Sequence, residues 1–230
     1  TPLGGLDEAI TIVGLVALAT LYSTLGGLRG VVLTDLLQFT LALVGAFALA
    51  GFALSRAGGL SGLPERLGEL LGPERAGDVL AMAPGLDGLP FLSLQAFFVY
   101  LLIRWWAHPM GDGGGYIAQR MLAAKDEKNA IGATMFFNFM HYAMRPWPWI
   151  IVALASMVCY PTLESIKAQF PGIDPSYLKQ DIAYPAMISR LGPGFLGLVV
   201  ASLIAAYMST IGTHLNWGSS YAVNDFYARF

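Results

Sequence analysis

Long apolar stretches constrain this chain more than any other feature. A helix that crosses the hydrocarbon core of a bilayer needs roughly 20 mostly apolar residues. Five stretches satisfy that requirement, at about 8–26, 31–54, 90–110, 130–160 and 193–222. Charges gather between these stretches rather than inside them. Hydrophobic residues make up 56% of the chain and charged residues 12%, against about 25% charged in an ordinary soluble domain. Mean hydropathy is +0.59. The expected fold class is an all-α integral membrane protein, multi-pass, in the cell membrane (the inner membrane if the source is a Gram-negative bacterium). The lipid bilayer is its first partner.

The same residues exclude several functions. A net charge of −2 and the lack of a basic stripe with interleaved aromatics leave no basis for a nucleic-acid partner. The single cysteine, Cys159, sits in an apolar run, so neither a disulfide framework nor a cysteine metal site is available. The Gly-rich run Gly111-Asp112-Gly113-Gly114-Gly115 lacks the GxxxxGK[ST] pattern and a preceding strand, and reads as a broken helix end rather than a phosphate cradle. Thr1 in place of an initiator Met, and a C-terminus just past an apolar run, lead us to expect the middle of a longer protein, truncated at both ends.

Loop charges set an expected orientation. Arg29, the group Arg120, Lys125 and Lys128, and Arg229 fall in regions that alternate to share one side, assigned here to the cytoplasm. Loops 55–89 and 161–192 then face outward. Within the first of these, Leu63 to Leu71 reads as a short amphipathic surface helix with Pro64 in its first turn.

Ionisable groups at membrane depth cost about 2.5–3.5 kcal/mol each on insertion scales, so each calls for an account. Asp35, Arg104, His108, His141, Arg145 and His214 are the cases. Asp35 has a structural reading as a helix N-cap, and Arg104 and Arg145 have one as snorkelling side chains. Arg145-Pro146-Trp147-Pro148-Trp149 must kink or open its helix, because each proline removes a donor and clashes with the preceding turn. The last span carries Ser202, Ala206, Ser209, Thr210, Thr213, Asn216 and Ser220, mostly on one face. Such a face serves close helix packing or offers hydroxyl oxygens to a hard cation.

Three segments resemble the sodium/solute symporter family. They are Gly26-Gly27-Leu28-Arg29-Gly30 running on to Thr34-Asp35 and Gln38, then Tyr116 with Gln119-Arg120 and Leu122 to Lys125, then Ala205 to Thr210 with Asn224-Asp225-Phe226-Tyr227. The resemblance implies the LeuT-type fold, two inverted five-helix repeats around a midplane site, with this chain supplying about core helices four to eight. It implies a sodium ion (Na+) held in part by the Ala206 carbonyl and the Ser209 and Thr210 hydroxyls, with Asp35 as a nearby negative charge. On the seventh core helix it makes Asn138, His141 and Tyr142 the polar candidates for contact with solute. Arg104-Trp105-Trp106-Ala107-His108-Pro109 departs from the polar pattern of the family's sugar transporters, so a sugar is not to be assumed.

The function expected is sodium-coupled symport of a small polar solute by alternating access, with no bond made or broken. Two alternatives are the membrane input domain of a sensor built on the same module, and an integral-membrane enzyme using His108, His141 and His214. The sequence leaves the solute and the oligomeric state open.

Overall fold

The computed structural model describes residues 8–89, 92–107 and 115–230. They are overwhelmingly helical, and the only β pairing among them is two isolated bridges, Gly85 with Gly88 and Leu89 with Leu92. The chain divides into two compact units, residues 1–49 with 191–230, and residues 50–190.

The first unit is built from most of α1 (Glu8–Arg56) and from α10 (Pro193–Tyr221), which runs into a π-helical turn at Ala222–Tyr227. At 49 residues, α1 would be about 73 Å long if straight, more than twice a bilayer's hydrocarbon thickness. It is not straight. Gly27 has φ 54° and ψ −158°, a conformation open essentially to glycine alone. Tyr22 before the break and Asp35 after it would stand about 20 Å apart on an unbroken helix. Both nevertheless bond to the short stretch Met208–Thr213 of α10, so the two limbs fold back on one another at Gly27. The apolar stretches 8–26 and 31–54 form the two limbs of this hairpin. The five-residue turn expected at 26–30 contracts to one glycine, and Leu28–Gly30 join the second limb. Asp35 is consequently not an N-cap. It lies in the helix interior, where the hydroxyl of neighbouring Thr34 donates to the Gly30 carbonyl at 3.0 Å.

The second limb packs on α10 at close range. A Cβ placed on Gly45 would lie 2.5 Å from the Ser202 Cβ, so a glycine is what lets the two backbones approach. Ala19, Val31, Ala46, Leu49, Val199 and Ala205 are buried in this unit. Ser202 is buried too and turns its hydroxyl back to the Val199 carbonyl, 2.7 Å away.

The second unit carries α2 (Gly59–Leu71), α3 (Pro73–Leu80), α4 (Leu94–Ala107), α5 (Gly115–Leu122), α6 (Glu127–Asn138), α7 (Pro146–Cys159), α8 (Leu163–Gln169) and α9 (Ala183–Ile188). α2 packs on α3 and α7, burying Leu63 and Leu67, and α7 packs on α9. The surface helix expected at 63–71 thus starts earlier, and Pro64 lies inside it rather than in its first turn. α6 opens on Asp126, whose carboxylate accepts the Asn129 amide at 2.8 Å, and α8 opens on a Thr162–Ser165 capping box. Arg190 ties the 161–192 loop together: it donates to the Tyr160 hydroxyl at 2.7 Å and to Gln169 at 2.5 Å, and its guanidinium lies over the Tyr160 ring.

The expected kink in span 130–160 takes a specific form. α6 and α7 are joined by the π-helical turn Phe139–Met144, and the Arg145 amide donates five residues back to the Met140 carbonyl at 3.0 Å. Pro146 and Pro148 would each strike the carbonyl four residues earlier in a regular helix, and one wide turn upstream removes the clash. After Cys159 the path bends by 78° into α8.

Among the described residues, two helices are long and apolar enough to cross a membrane, Ala9–Arg56 and Pro193–Tyr227, with Glu127–Cys159 and Leu163–Gln169 as a bent third. α4, 14 residues long, lies within the span expected at 90–110, of which residues 90, 91 and 108–110 lie outside the described residues.

Candidate functional site

α10 presents its polar residues to the α1 hairpin, and helical geometry sorts them into two groups. Ser209 and Thr213, one turn apart, lie on a common face. Ser209 donates to one carboxylate oxygen of Asp35 at 2.7 Å, and Thr213 donates to the other at 3.2 Å. All three side chains are half-buried. Thr210 lies a further 100° around the helix and turns back, its hydroxyl donating to the Ala206 carbonyl at 3.1 Å. Both Thr210 and Ala206 are exposed along the chain's own surface.

Of the four sodium candidates, the structure joins Asp35 to Ser209 and, separately, Thr210 to Ala206. The chemistry of the set suits a hard cation: hydroxyls, a carbonyl and one carboxylate, with no nitrogen or sulfur. Ser209 uses its one proton on Asp35, which leaves its lone pairs available to a cation and raises their negative charge. Thr213 and Tyr22 are the contributors that sequence reasoning did not place in the site. Thr213 stood on the right stripe, one turn beyond Ser209. Tyr22 could not be found that way, because its contact depends on the fold-back at Gly27. Its hydroxyl donates to the Met208 carbonyl at 3.1 Å, and it fits because position 212 is glycine: a Cβ there would lie 2.7 Å from the phenol oxygen. Gln38, further along the Asp35 limb, has a buried amide oxygen with no hydrogen-bond partner.

The three solute candidates lie at the α6–α7 junction. Asn138, the last residue of α6, is exposed, and Tyr142 is 71% exposed within the chain. His141 meets the Tyr142 ring edge-to-face at 4.7 Å and stacks on Phe137 at 5.2 Å. Asn138 makes no ring contact or hydrogen bond with either of them. His108 and residues 111–114 lie outside the described residues, and so do the side chains of Arg104 and Tyr116. His214 is exposed on α10. Among the described residues no three His, Cys, Asp or Glu side chains converge on a metal-sized space.

The sodium:solute symporter family model matches residues 3–230. The chain belongs to this family. Similar proteins include the mouse sodium/myo-inositol cotransporter 2, 29% identical over 96% of this chain and 34% of the relative. The sodium/glucose cotransporter of Vibrio parahaemolyticus is 28% identical over 98% of the chain and 42% of the relative. Sodium/glucose cotransporter 1 of Sus scrofa is 27% identical over 98% and 36%. The chain spans about a third of the length of the first of these relatives. No solved structure matches it. The relatives of this chain are cotransporters, and its apolar helices agree with a multi-pass membrane protein.

Proposed function

We propose that the protein to which this chain contributes is a sodium-coupled secondary-active symporter, taking up a small polar solute by alternating access in the cell membrane. The chain would supply about core helices four to eight of a LeuT-type fold. The observation that carries this reading is the clasp of Asp35 by Ser209 and Thr213, with the Ala206 carbonyl and Thr210 hydroxyl on the adjoining face. Sodium must be held by several oxygens yet leave on every cycle. Neutral oxygens do that, and a single carboxylate behind them offsets the charge without creating a trap. Asp35 then acts chiefly by orienting and polarising Ser209.

Uptake by full-length protein in proteoliposomes tests this against sodium concentration. Ser209→Ala removes an oxygen and leaves one Asp35 acceptor without its donor. At about 1–3 kcal/mol for such a loss, half-saturation by sodium should rise by roughly 5- to 150-fold. Asp35→Asn should also raise it with insertion intact. Ser202→Ala is the control, because that hydroxyl is buried and bonds only within its own helix. Unchanged sodium dependence in both Ser209→Ala and Asp35→Asn would return this face to helix packing.

A further inference from the structure

Arg145 is the most costly residue in the helical run Glu127–Cys159. It stands about 27 Å of helix from one end and about 21 Å from the other, near the middle of the run, where a charge in a membrane is costly unless it faces a partner or a water-filled cavity. Among the described residues, no carboxylate pairs with it. Its partners are two rings. The guanidinium lies over Trp149 at 5.1 Å, and its NH1 lies 3.3 Å from His141 Nδ1. A guanidinium can only donate, so Nδ1 is the acceptor and the imidazole proton sits on Nε2. The imidazole is itself fixed, stacked on Phe137 with 14° between the planes. The result is a ladder of Phe137, His141, Arg145 and Trp149 up one face, across the π-helical turn Phe139–Met144. Turns of this kind recur at functional sites because they re-aim side chains.

The chemistry of the ladder is specific. It offers the remaining guanidinium donors in a planar fork, a second donor at His141 Nε2, and apolar ring faces on either side. It carries a full positive charge and no negative one. A neutral polyol would leave that charge uncompensated, whereas a carboxylate matches the fork two-point and cancels it. Resting on the symporter reading above, we infer that Arg145 anchors a carboxylate of the transported solute. The solute class is then a small organic acid, unlike the myo-inositol and glucose in the names of the relatives.

Two measurements on the full-length protein test this. The first is thermal stabilisation of the purified protein by glucuronate and pyruvate, compared with glucose and myo-inositol; glucuronate and glucose differ chiefly in the carboxylate. The second is sodium-driven uptake of the same four compounds in proteoliposomes. The expected result is stabilisation by at least one acid and neither neutral compound, and uptake of that acid. Arg145→Gln should weaken acid binding by about 10- to 150-fold, the range for hydrogen bonds to a charged group. Arg145→Lys, which keeps the charge and loses the fork, should lie between. Uptake of glucose or myo-inositol without any effect of the acids would overturn the carboxylate anchor and leave sodium symport standing. Stabilisation by an acid through Arg145 with no sodium-driven uptake would sustain the anchor and sink symport. No stabilisation by either acid, or equal stabilisation in wild type and Arg145→Gln, also overturns the anchor.

Discussion

Tyr22 and Gly212 meet with no room for a side chain at position 212, and one hydrogen bond, from the phenol to the Met208 carbonyl, depends on that absence. Met208 directly precedes Ser209, so Tyr22 holds the same turn of α10 that faces Asp35. Tyr22→Phe should cost about 0.5–1.5 kcal/mol, the net value of one such bond. Gly212→Ala should cost at least as much, because the new methyl expels the phenol oxygen. The next nearest atom of that ring is 3.5 Å away, so removing the oxygen relieves the clash. The double variant should therefore be no less stable than Gly212→Ala alone, giving strong non-additivity in a thermal-melting cycle. Simple addition of the two losses would show that the contact is not formed. This residue-level coupling was invisible in the sequence. The polar stripe on α10 was legible because helical spacing alone reveals it, whereas the partner across the hairpin is set by a fold-back that no periodicity encodes.

At the scale of the element, α1 shows what the sequence did and did not reveal. Two apolar runs flanking Gly26-Gly27-Leu28-Arg29-Gly30 were enough to expect two helices and a tight reversal. They were not enough to say which glycine turns. Gly26, Gly27 and Gly30 are alike in composition, and only the backbone angles of Gly27 distinguish it. Gly27→Ala would put a Cβ into a conformation costing about 1–3 kcal/mol. The expected outcome is a lower melting temperature and poorer recovery of inserted protein. Gly26→Ala and Gly30→Ala meet open space within the chain and have ordinary angles, and at helical positions alanine is favoured by about 0.5–1 kcal/mol. Those two should be neutral or mildly stabilising. Equal loss at all three would assign the turn to the whole segment. The α6–α7 junction follows the same logic. Two prolines announced a kink, but its expression as a π-helical turn just ahead of them places His141, Tyr142 and Arg145 on their actual faces.

For the molecule as a whole, the sequence was most informative about class and least informative about assembly. Apolar run length and sparse charge decide for a helical membrane protein, since a bilayer leaves few ways to satisfy a backbone. Among the described residues, apolar helices cover the expected stretches 8–26, 31–54, 130–160 and 193–222, with the two limbs of α1 and the joined α6 and α7 accounting for three of them. Sidedness rests on a different physical quantity, the bias of Lys and Arg toward the cytoplasm. Arg120, Lys125 and Lys128 fall between α4 and α7, while loop 55–89 carries Glu65, Glu69, Glu74, Asp78 and Asp87 against Arg56, Arg66 and Arg75. Single cysteines in a full-length Cys159→Ser background measure this directly. Gly77, in α3, is a site where a Cβ meets open space. Asn129, in the first turn of α6, is exposed and bonded to Asp126 through both its amide and its side chain. A membrane-impermeant maleimide applied to intact cells should label Gly77→Cys and spare Asn129→Cys until the membrane is opened. Labelling of Asn129→Cys alone from outside would invert the topology.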